Sequence, residues 1–478
     1  MLVVSLFELT KKNIEEIKKK IAFEYLQEKI LVEIRLDLID IKTLIKLQEK
    51  IDCPLILTIK NNQLKDSYLD KILKKLPFIA GLDIRYIDLE YDLDEALSKK
   101  IFNIFKKAKR ICSCHFFEKK DLDLEEIFSN QKKYFKDEKK PIYKIAINPT
   151  SSICCLKMLL VSKKIAKKGY KICFIAMGEK GAFTRILSSL FSNFFTYCYW
   201  DKKTAKGQIS LNKMIKRYRF LSIDKNTTFY VLIGSPISKS PSNIIHNKIF
   251  SHMNLNSLYL KIALEKEEMK SFFKLINNFP IKGLSITSPL KQSVLNYLDK
   301  IKDEKIKAIN TAVKIKDKWV GYNTDKEAIK AILKRGEIKG KTALILGAGG
   351  VAMAIAYQLI QKGALVVILN RTKEKAQKLA EEYSCSFGSF RDISDFYQKG
   401  YDILINATSS LDPIDEKHIR KNSIVLDVNT FPFMTPFLEK ASKKNCRIVH
   451  GFEMFVYQAK AQFNHFFKFH QKDKQLHL

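Results

Sequence analysis

The chain has 478 residues, 46% of them hydrophobic and 28% charged, with a formal net charge of +34 at pH 7. That length implies two to four domains with sizeable cores, and no apolar run approaches the roughly 18 residues of a membrane span. The lysines are scattered as doublets such as Lys11-Lys12, Lys74-Lys75, Lys119-Lys120, Lys139-Lys140 and Lys202-Lys203, which reads as a solvated surface rather than a nucleic-acid arm. Met1 to Glu8 turns acidic too soon for a signal peptide. Nine cysteines without a C-x-x-C pair point to reduced thiols, not to a disulfide framework or a metal site. The expectation is a cytoplasmic protein with neither nucleic-acid nor membrane partners, whose positive field favours anionic small molecules.

Eight short apolar runs occupy the first 215 residues: Leu2–Phe7, Ile30–Leu36, Leu55–Ile59, Tyr86–Tyr91, Arg110–Phe116, Tyr143–Asn148, Lys171–Met177 and Phe195–Trp200. Polar segments with helical periodicity lie between them, among them Lys12–Glu28, Ile41–Ile51 and Leu156–Lys167. Eight strands alternating with helices predict a (β/α)8 TIM barrel, whose functional residues gather at the C-terminal ends of the strands. The polar residues that interrupt the apolar runs do fall there: Ser5, Glu33, Arg35, Lys60, Glu90, His115, Lys144, Thr204 and Gln208. Lys144, inside Y-K-I-A-I-N, is the most unusual, because lysine is rarely buried without a partner. Burial in a barrel should lower its pKa and yield a neutral amine able to attack a carbonyl.

Five motifs in order carry a resemblance. They are Glu33-Ile34-Arg35-Leu36-Asp37, Ser113-Cys114-His115-Phe116, Lys144-Ile145-Ala146, Met177 to Arg185, and Gly207-Gln208. Residues 1 to about 215 thereby resemble the type I 3-dehydroquinate dehydratases. The resemblance implies that Lys144 forms an imine with the substrate ketone and that His115 removes the neighbouring proton and assists loss of water. It implies that Arg185 holds the substrate carboxylate and that Ser5, Glu33, Arg35, Thr204 and Gln208 bind ring hydroxyls. Lys60, a further substrate-binding candidate, stands where the family usually has arginine. The family's histidine-orienting carboxylate has no clear counterpart in Asn61–Ser67. Thr204-Ala205-Lys206-Gly207-Gln208 replaces a usual S-A-P-G-Q.

Ile209–Thr228 is polar, basic and free of glycine and proline. It reads as a helix and a short connection, with a domain boundary near 220–228. A strand follows at Phe229–Gly234, then the hydroxyl-rich turn Ser235 to Ser242. Further polar loops follow: Gly283-Leu284-Ser285-Ile286-Thr287-Ser288-Pro289-Leu290-Lys291, Ala308 to Ala312, and Gly321-Tyr322-Asn323-Thr324-Asp325. At Lys341–Ala354 an apolar run ends in Gly347-Ala348-Gly349-Gly350 and passes into a helical segment. Strand, glycine turn and helix suit a pyrophosphate, since glycine lets backbone N–H groups approach and the helix N-terminus adds partial positive charge.

These loops, with Thr435-Pro436-Phe437-Leu438, Gly451-Phe452-Glu453-Met454 and Gln458-Ala459, resemble shikimate dehydrogenase over residues 229 to about 470. The resemblance implies an α/β substrate domain, a Rossmann domain and a returning C-terminal helix. It makes Lys291 and Asp325 the catalytic pair and gives Ser240, Ser242, Thr287, Asn310 and Gln458 to the substrate. Ser238 and Ser240 are the alternative serine pair. The cofactor would meet Gly347, Ala348, Gly349, Gly350, Val351, Asn370, Arg371, Thr372, Gly451 and Met454. An NAD site needs an acid about 20 residues past the glycines. The strand Leu365–Leu369 ends instead in Asn370-Arg371-Thr372, so NADP(H) is favoured. Ser285 replaces a common asparagine, Thr430 a common tyrosine, and Ser409-Ser410-Leu411-Asp412 an expected Gly-Met loop.

The expected domains are 1–220, 225–330, 331–450 and 451–478. Their combination predicts a bifunctional enzyme that takes 3-dehydroquinate through 3-dehydroshikimate to shikimate. Two alternatives stay open: a quinate/shikimate dehydrogenase with a weakened barrel, and a regulatory protein that keeps the folds.

Overall fold

A computed structural model describes residues 1–6, 29–36, 54–60, 74–79, 82–90, 95–119, 122–135 and 140–467. The predicted helices Lys12–Glu28 and Ile41–Ile51, the Asn61–Ser67 stretch, Phe7 and residues 468–478 lie outside these. The chain divides into two compact units, Met1–Thr227 and Thr228–Leu478.

The first unit is a parallel barrel of β1 (Leu2–Leu6), β2 (Ile30–Arg35), β3 (Leu55–Ile59), β4 (Ile84–Glu90), β5 (Lys109–Lys119), β6 (Ile142–Asn148), β7 (Lys171–Ala176) and β8 (Thr196–Tyr199). Neighbours follow chain order, and β1 also pairs with β8. The seam between β7 and β8 is closed by the Phe194 N–H donating to the Ile172 carbonyl at 2.8 Å. The Asn193 side chain adds two bonds there, accepting from Phe174 N–H and donating to Phe174 C=O, each 3.1 Å. Val3, Leu31, Ile56, Tyr86, Ile111, Ile142, Cys173 and Phe195 fill the interior. These runs are apolar on both faces because helices cover the outside and other strands fill the inside. Ser152–Lys167, slightly longer than the predicted helix, starts at Ser151, whose hydroxyl accepts from Cys154 N–H at 3.0 Å.

The helix expected after the barrel is present but short, confined to residues 211–217. Two residues, β9 (Ile209–Ser210), pair with β8, and a π-helical turn, Lys213–Arg217, follows. Arg219 then takes a left-handed φ of 42° and ends the helical run. Met214 and Phe220 are buried.

The second unit has two sheets. The first comprises β10 (Thr228–Gly234), β11 (Ser257–Ala263), β12 (Ile281–Ile286), β13 (Lys300–Ile301), β14 (Thr311–Ile315) and β15 (Lys318–Tyr322), in the order β11-β10-β12-β14-β15-β13. The second comprises β16 (Thr342–Leu346), β17 (Leu365–Asn370), β18 (Ser386–Ser389), β19 (Ile403–Asn406), β20 (Ile424–Asp427) and β21 (Arg447–Val449). It is parallel in the order β18-β17-β16-β19-β20-β21. That is the doubly wound dinucleotide-binding order, with its switch point at the end of β16. The last helix, Gly451–Phe467, returns to the first sheet. Phe463, Phe466 and Phe467 share a core with Tyr230, Phe250 and Tyr259.

Candidate active sites

The barrel's polar residues meet because parallel register aligns the strand ends. Ser5 pairs with Glu33, Glu90 with Ser113, and Ser113 with Lys144. Glu33, Arg35, Lys60, His115, Lys144, Arg185, Thr204 and Gln208 line one cavity of about 340 Å³. Ser5 does not line it; fully buried, it donates its hydroxyl to Glu33 Oε2 at 2.5 Å. Thr58 donates to the other Glu33 oxygen at 2.9 Å.

Lys144 Nζ lies 2.5 Å from Asp88 Oδ2, 3.9 Å from Glu33 Oε1 and 4.3 Å from the centre of the Tyr197 ring. The expectation of a lowered lysine pKa is therefore corrected. Burial does push the ammonium down, but Asp88 and Glu33 outweigh it and raise Lys144 above the ordinary lysine value. The free barrel holds a charged lysine between carboxylates.

His115 Nδ1 lies 2.7 Å from Glu90 Oε1, both side chains buried. The histidine's carboxylate thus comes from the end of β4. Burial lowers the His115 pKa, Glu90 opposes this, and Lys60 and Lys144 add to the lowering. The imidazole is neutral at neutral pH, as a general base must be. Burial, then Lys144 and Arg35, also lower Lys60. Its ammonium sits 5.6 Å over Phe117, whose ring stacks on His115.

Arg185 donates to the Ala176 carbonyl at 2.6 Å and faces the cavity without an acidic partner among the described residues. Burial brings its guanidinium down to about 10. An unpaired buried guanidinium is ready for a carboxylate. Thr204 and Gln208 clamp each other: Gln208 Oε1 accepts from Thr204 N–H at 2.7 Å, and Gln208 Nε2 donates to Thr204 Oγ1 at 2.9 Å. Gly207, at a φ of 77°, lets this loop meet the one after β7; a Cβ would lie 2.1 Å from the Gly178 carbonyl oxygen.

Asp88, Tyr197 and Thr58 were missed in the sequence, and Glu90 was seen only as a polar strand end. The two acids were legible as I-D-L-E, where residues two apart in a strand share a face.

In the second unit Lys291 Nζ donates to Asp325 Oδ2 at 2.6 Å. Lys291 follows the turn after β12. Asp325 sits in the first turn of the Thr324–Ile332 helix, where Asn323 caps by accepting from Lys326 N–H at 2.9 Å. Ser240, Ser242, Thr287, Asn310 and Gln458 line a cavity of about 250 Å³ with this pair. The two serine hydroxyls are 2.9 Å apart. Ser238 is outside the lining and its carbonyl accepts from Lys261. Asn310 Oδ1 accepts from Thr324 N–H at 2.8 Å, and its buried Nδ2 has no partner among the described residues. Gln458 donates to Thr324 Oγ1 at 3.2 Å.

Ser285 and Thr430 line the same cavity. Ser285 donates to Gln462 Oε1 at 2.9 Å, and Gln462 donates to Thr311 Oγ1 and the Asn310 carbonyl. Gln462, four residues past Gln458 on one helix face, was also missed. His246 and Asn247 serve the packing: His246, pushed down to about 4 by burial, stacks on Tyr259, and the Asn247 amide bonds Tyr259 N–H and C=O.

The glycine turn fits a dinucleotide. Gly347 has a φ of 110°, and a Cβ on Gly349 would meet nothing within 4 Å, so its backbone is open. Gly350 starts the Gly350–Gln361 helix and packs on Lys291; a Cβ there would lie 3.0 Å from Lys291 Cδ. Val351, Gly451 and Met454 line the Lys291 cavity, while Ala348 packs on the core. Asn370, Arg371 and Thr372 end the neighbouring β17, with Asn370 Nδ2 bonded to the Thr372 carbonyl and Arg371 exposed. No acid stands at that strand end.

Barrel and dehydrogenase-like unit define a lyase joined to an oxidoreductase. Residues 7–225 match the type I 3-dehydroquinase family, 232–312 the shikimate dehydrogenase substrate binding domain, and 328–427 the shikimate/quinate 5-dehydrogenase family. The shikimate biosynthesis protein AroDE of Chlamydia pneumoniae is 33% identical over 445 residues, spanning 91% of this chain and 89% of that one. The shikimate dehydrogenase (NADP(+)) of Pyrococcus furiosus is 36% identical over 251 residues, 50% of this chain and 90% of that one. A solved shikimate dehydrogenase from Aquifex aeolicus aligns at 31% identity and a TM-score of 0.47, over 51% of this chain and 94% of its own. The chain belongs to the family of bifunctional 3-dehydroquinate dehydratase/shikimate dehydrogenases of the shikimate pathway. Among the described residues no helix is long and apolar enough to cross a membrane.

Proposed function

We propose that the chain dehydrates 3-dehydroquinate in the barrel and reduces the resulting 3-dehydroshikimate to shikimate in the second unit. The observation that carries this is the pair of lysine–carboxylate contacts, Lys144–Asp88 and Lys291–Asp325, with each lysine lining its own cavity. In the barrel Arg185 binds the substrate carboxylate, and Glu33, Arg35, Lys60, Thr204 and Gln208 take hydroxyls. Lys144 attacks the ketone carbon and forms an imine, which acidifies the adjacent C–H. Neutral His115, with Glu90 behind it, removes that proton and then donates it to the departing hydroxyl. Glu90 answers the doubt raised by the Asn61–Ser67 stretch and weighs against a disabled barrel.

In the second unit Ser240 and Ser242 bind the carboxylate, and Thr287, Asn310 and Gln458 bind hydroxyls. NADPH supplies the hydride when bound. The open turn at Gly347–Gly350 would hold its pyrophosphate and Arg371 its 2′-phosphate, and Gly451 and Met454, which line the Lys291 cavity, would contact the cofactor. Lys291, steadied by Asp325, protonates the substrate oxygen as it becomes a hydroxyl. On this reading residues 1–220 are the dehydratase, 225–330 bind substrate, 331–450 bind NADP(H), and the helix Gly451–Phe467 of the 451–478 segment packs back on the substrate domain. The eight described cysteines are all free thiols, which suits work in the cytoplasm.

The test is NADPH consumption by the purified chain given 3-dehydroquinate. Lys144→Ala should abolish it, and adding 3-dehydroshikimate should restore it; Asp325→Asn should lose reduction while keeping dehydration. Turnover of 3-dehydroquinate by Lys144→Ala would refute the barrel assignment.

A further inference from the structure

The dehydratase reading leaves one step without an agent. Lys144 rests as an ammonium, which cannot attack a carbonyl until it sheds a proton. Each strand that faces Nζ offers a group, and geometry separates them. Glu33 on β2 is 3.9 Å away, and both its oxygens already accept hydroxyls from Ser5 and Thr58. His115 on β5, held by Glu90 through Nδ1, is on this reading the base for the substrate C–H. Tyr197 on β8 presents its ring face, and burial pushes its phenol well above its ordinary range, so it keeps its own proton. Cys173 on β7 is pushed up to about 12, again by burial, and Lys60 after β3 is itself a cation.

Asp88 on β4 differs from all of these. It is 1% exposed, with Oδ2 at 2.5 Å from Nζ and Oδ1 without a hydrogen-bond partner among the described residues. Among the described residues Lys144 is the one donor to its carboxylate, and the second oxygen is open. It also stands two residues below Glu90, which lies level with Lys144 through Ser113. Contact from below leaves the side of Nζ toward the barrel mouth free for the substrate.

We infer that Asp88 takes the proton from Lys144 as its amine attacks the substrate ketone and gives it back when the carbinolamine expels water. This rests on the Schiff-base reading above. The step balances. The ammonium passes one proton to Asp88, and nitrogen bonds to the carbonyl carbon. An amine proton moves to the new alkoxide, giving the neutral carbinolamine. Asp88 then protonates that hydroxyl, which leaves as water while the nitrogen lone pair forms the iminium. Asp88 ends as a carboxylate facing a positive nitrogen, as it began, and no net charge enters the buried site.

The experiment uses the full chain mixed with 3-dehydroquinate and quenched with borohydride at set times. The reduced adduct on Lys144 is counted by mass and peptide mapping. No adduct in the wild-type chain would refute the Schiff-base reading itself. Given a wild-type adduct, Asp88→Asn should form it about 30-fold or more slowly at neutral pH, with a rate that rises with pH and with buffer base because the proton must now leave to solvent. Asp88→Glu, which keeps the acid, should stay within about tenfold of wild type with the wild-type pH profile. Asp88→Ser removes the charge without adding an amide and serves if Asp88→Asn does not fold. A variant lacking the carboxylate whose rate stays within about twofold of wild type and flat with pH would overturn the inference. So would a smaller amount of adduct formed at an unchanged rate, which is what a purely structural ion pair would give.

Discussion

Replacing Glu90 by glutamine removes the charge beside His115 while keeping the shape. At the 2.7 Å separation and an effective dielectric of about 20, the carboxylate attracts an imidazolium by about 6 kcal/mol. The amide keeps part of the contact as a neutral hydrogen bond. The loss is then that of a charged hydrogen bond, about 1.5–3 kcal/mol, or roughly 10- to 100-fold in dehydration rate. The direction with pH follows from the sign of the charge. Burial already lowers the His115 pKa and Glu90 opposes that lowering, so removing the charge drops it further. His115 must be neutral to act as a base. The acidic limb of kcat/KM should therefore move to lower pH in Glu90→Gln while the plateau falls. The assay follows enone absorbance of the product across pH. A plateau within about twofold of wild type and an unmoved acidic limb would refute the assignment of Glu90 to His115.

Three further outcomes are expected. Arg371→Asp should raise the KM for NADPH about 100-fold and bring it toward that for NADH, since a charge-assisted pair to phosphate becomes a repulsion; unchanged preference would remove Arg371 from the cofactor site. Gly350→Ala places a Cβ 3.0 Å from Lys291 Cδ, and should slow shikimate oxidation about tenfold by displacing the amine while leaving dehydration intact; equal oxidation rates would show that Lys291 is not held by this glycine. Asn193→Ala orphans the buried N–H and C=O of Phe174 at about 1–3 kcal/mol each, so the barrel should melt earlier by calorimetry; an unchanged barrel transition would mean that the seam does not depend on this side chain.

The barrel was legible because its strands are buried on both faces and read as unbroken apolar runs. The catalytic candidates stood out because a lysine or histidine inside such a run has few structural reasons to be there. The second unit was legible by loops, since phosphate and polyol sites need glycines and hydroxyls at turns. The join was read correctly as a helix, a connection and a boundary near 220–228, but composition alone could not reveal that Arg219 turns left-handed and that Met214 and Phe220 are buried. The two candidate serine pairs share Ser240, and the cavity is lined by Ser242 and not by Ser238.

The sequence by itself determined residue types, their order along the chain and the strand or helix period, because these are local properties, but it did not single out Asp88 or Gln462. It also determined the absence of an acid after β17, a fact of sequence position. Only the tertiary structure decided how those side chains are charged. Lys144 was expected to be neutral through burial, yet Asp88 and Glu33, brought in from strands more than fifty residues away, hold it as an ammonium. His115 meets a carboxylate in Glu90 on the neighbouring strand, a residue that the sequence showed only as a polar strand end. Electrostatic energy depends on distances of a few ångströms through space, and those distances are set by strand register and barrel closure.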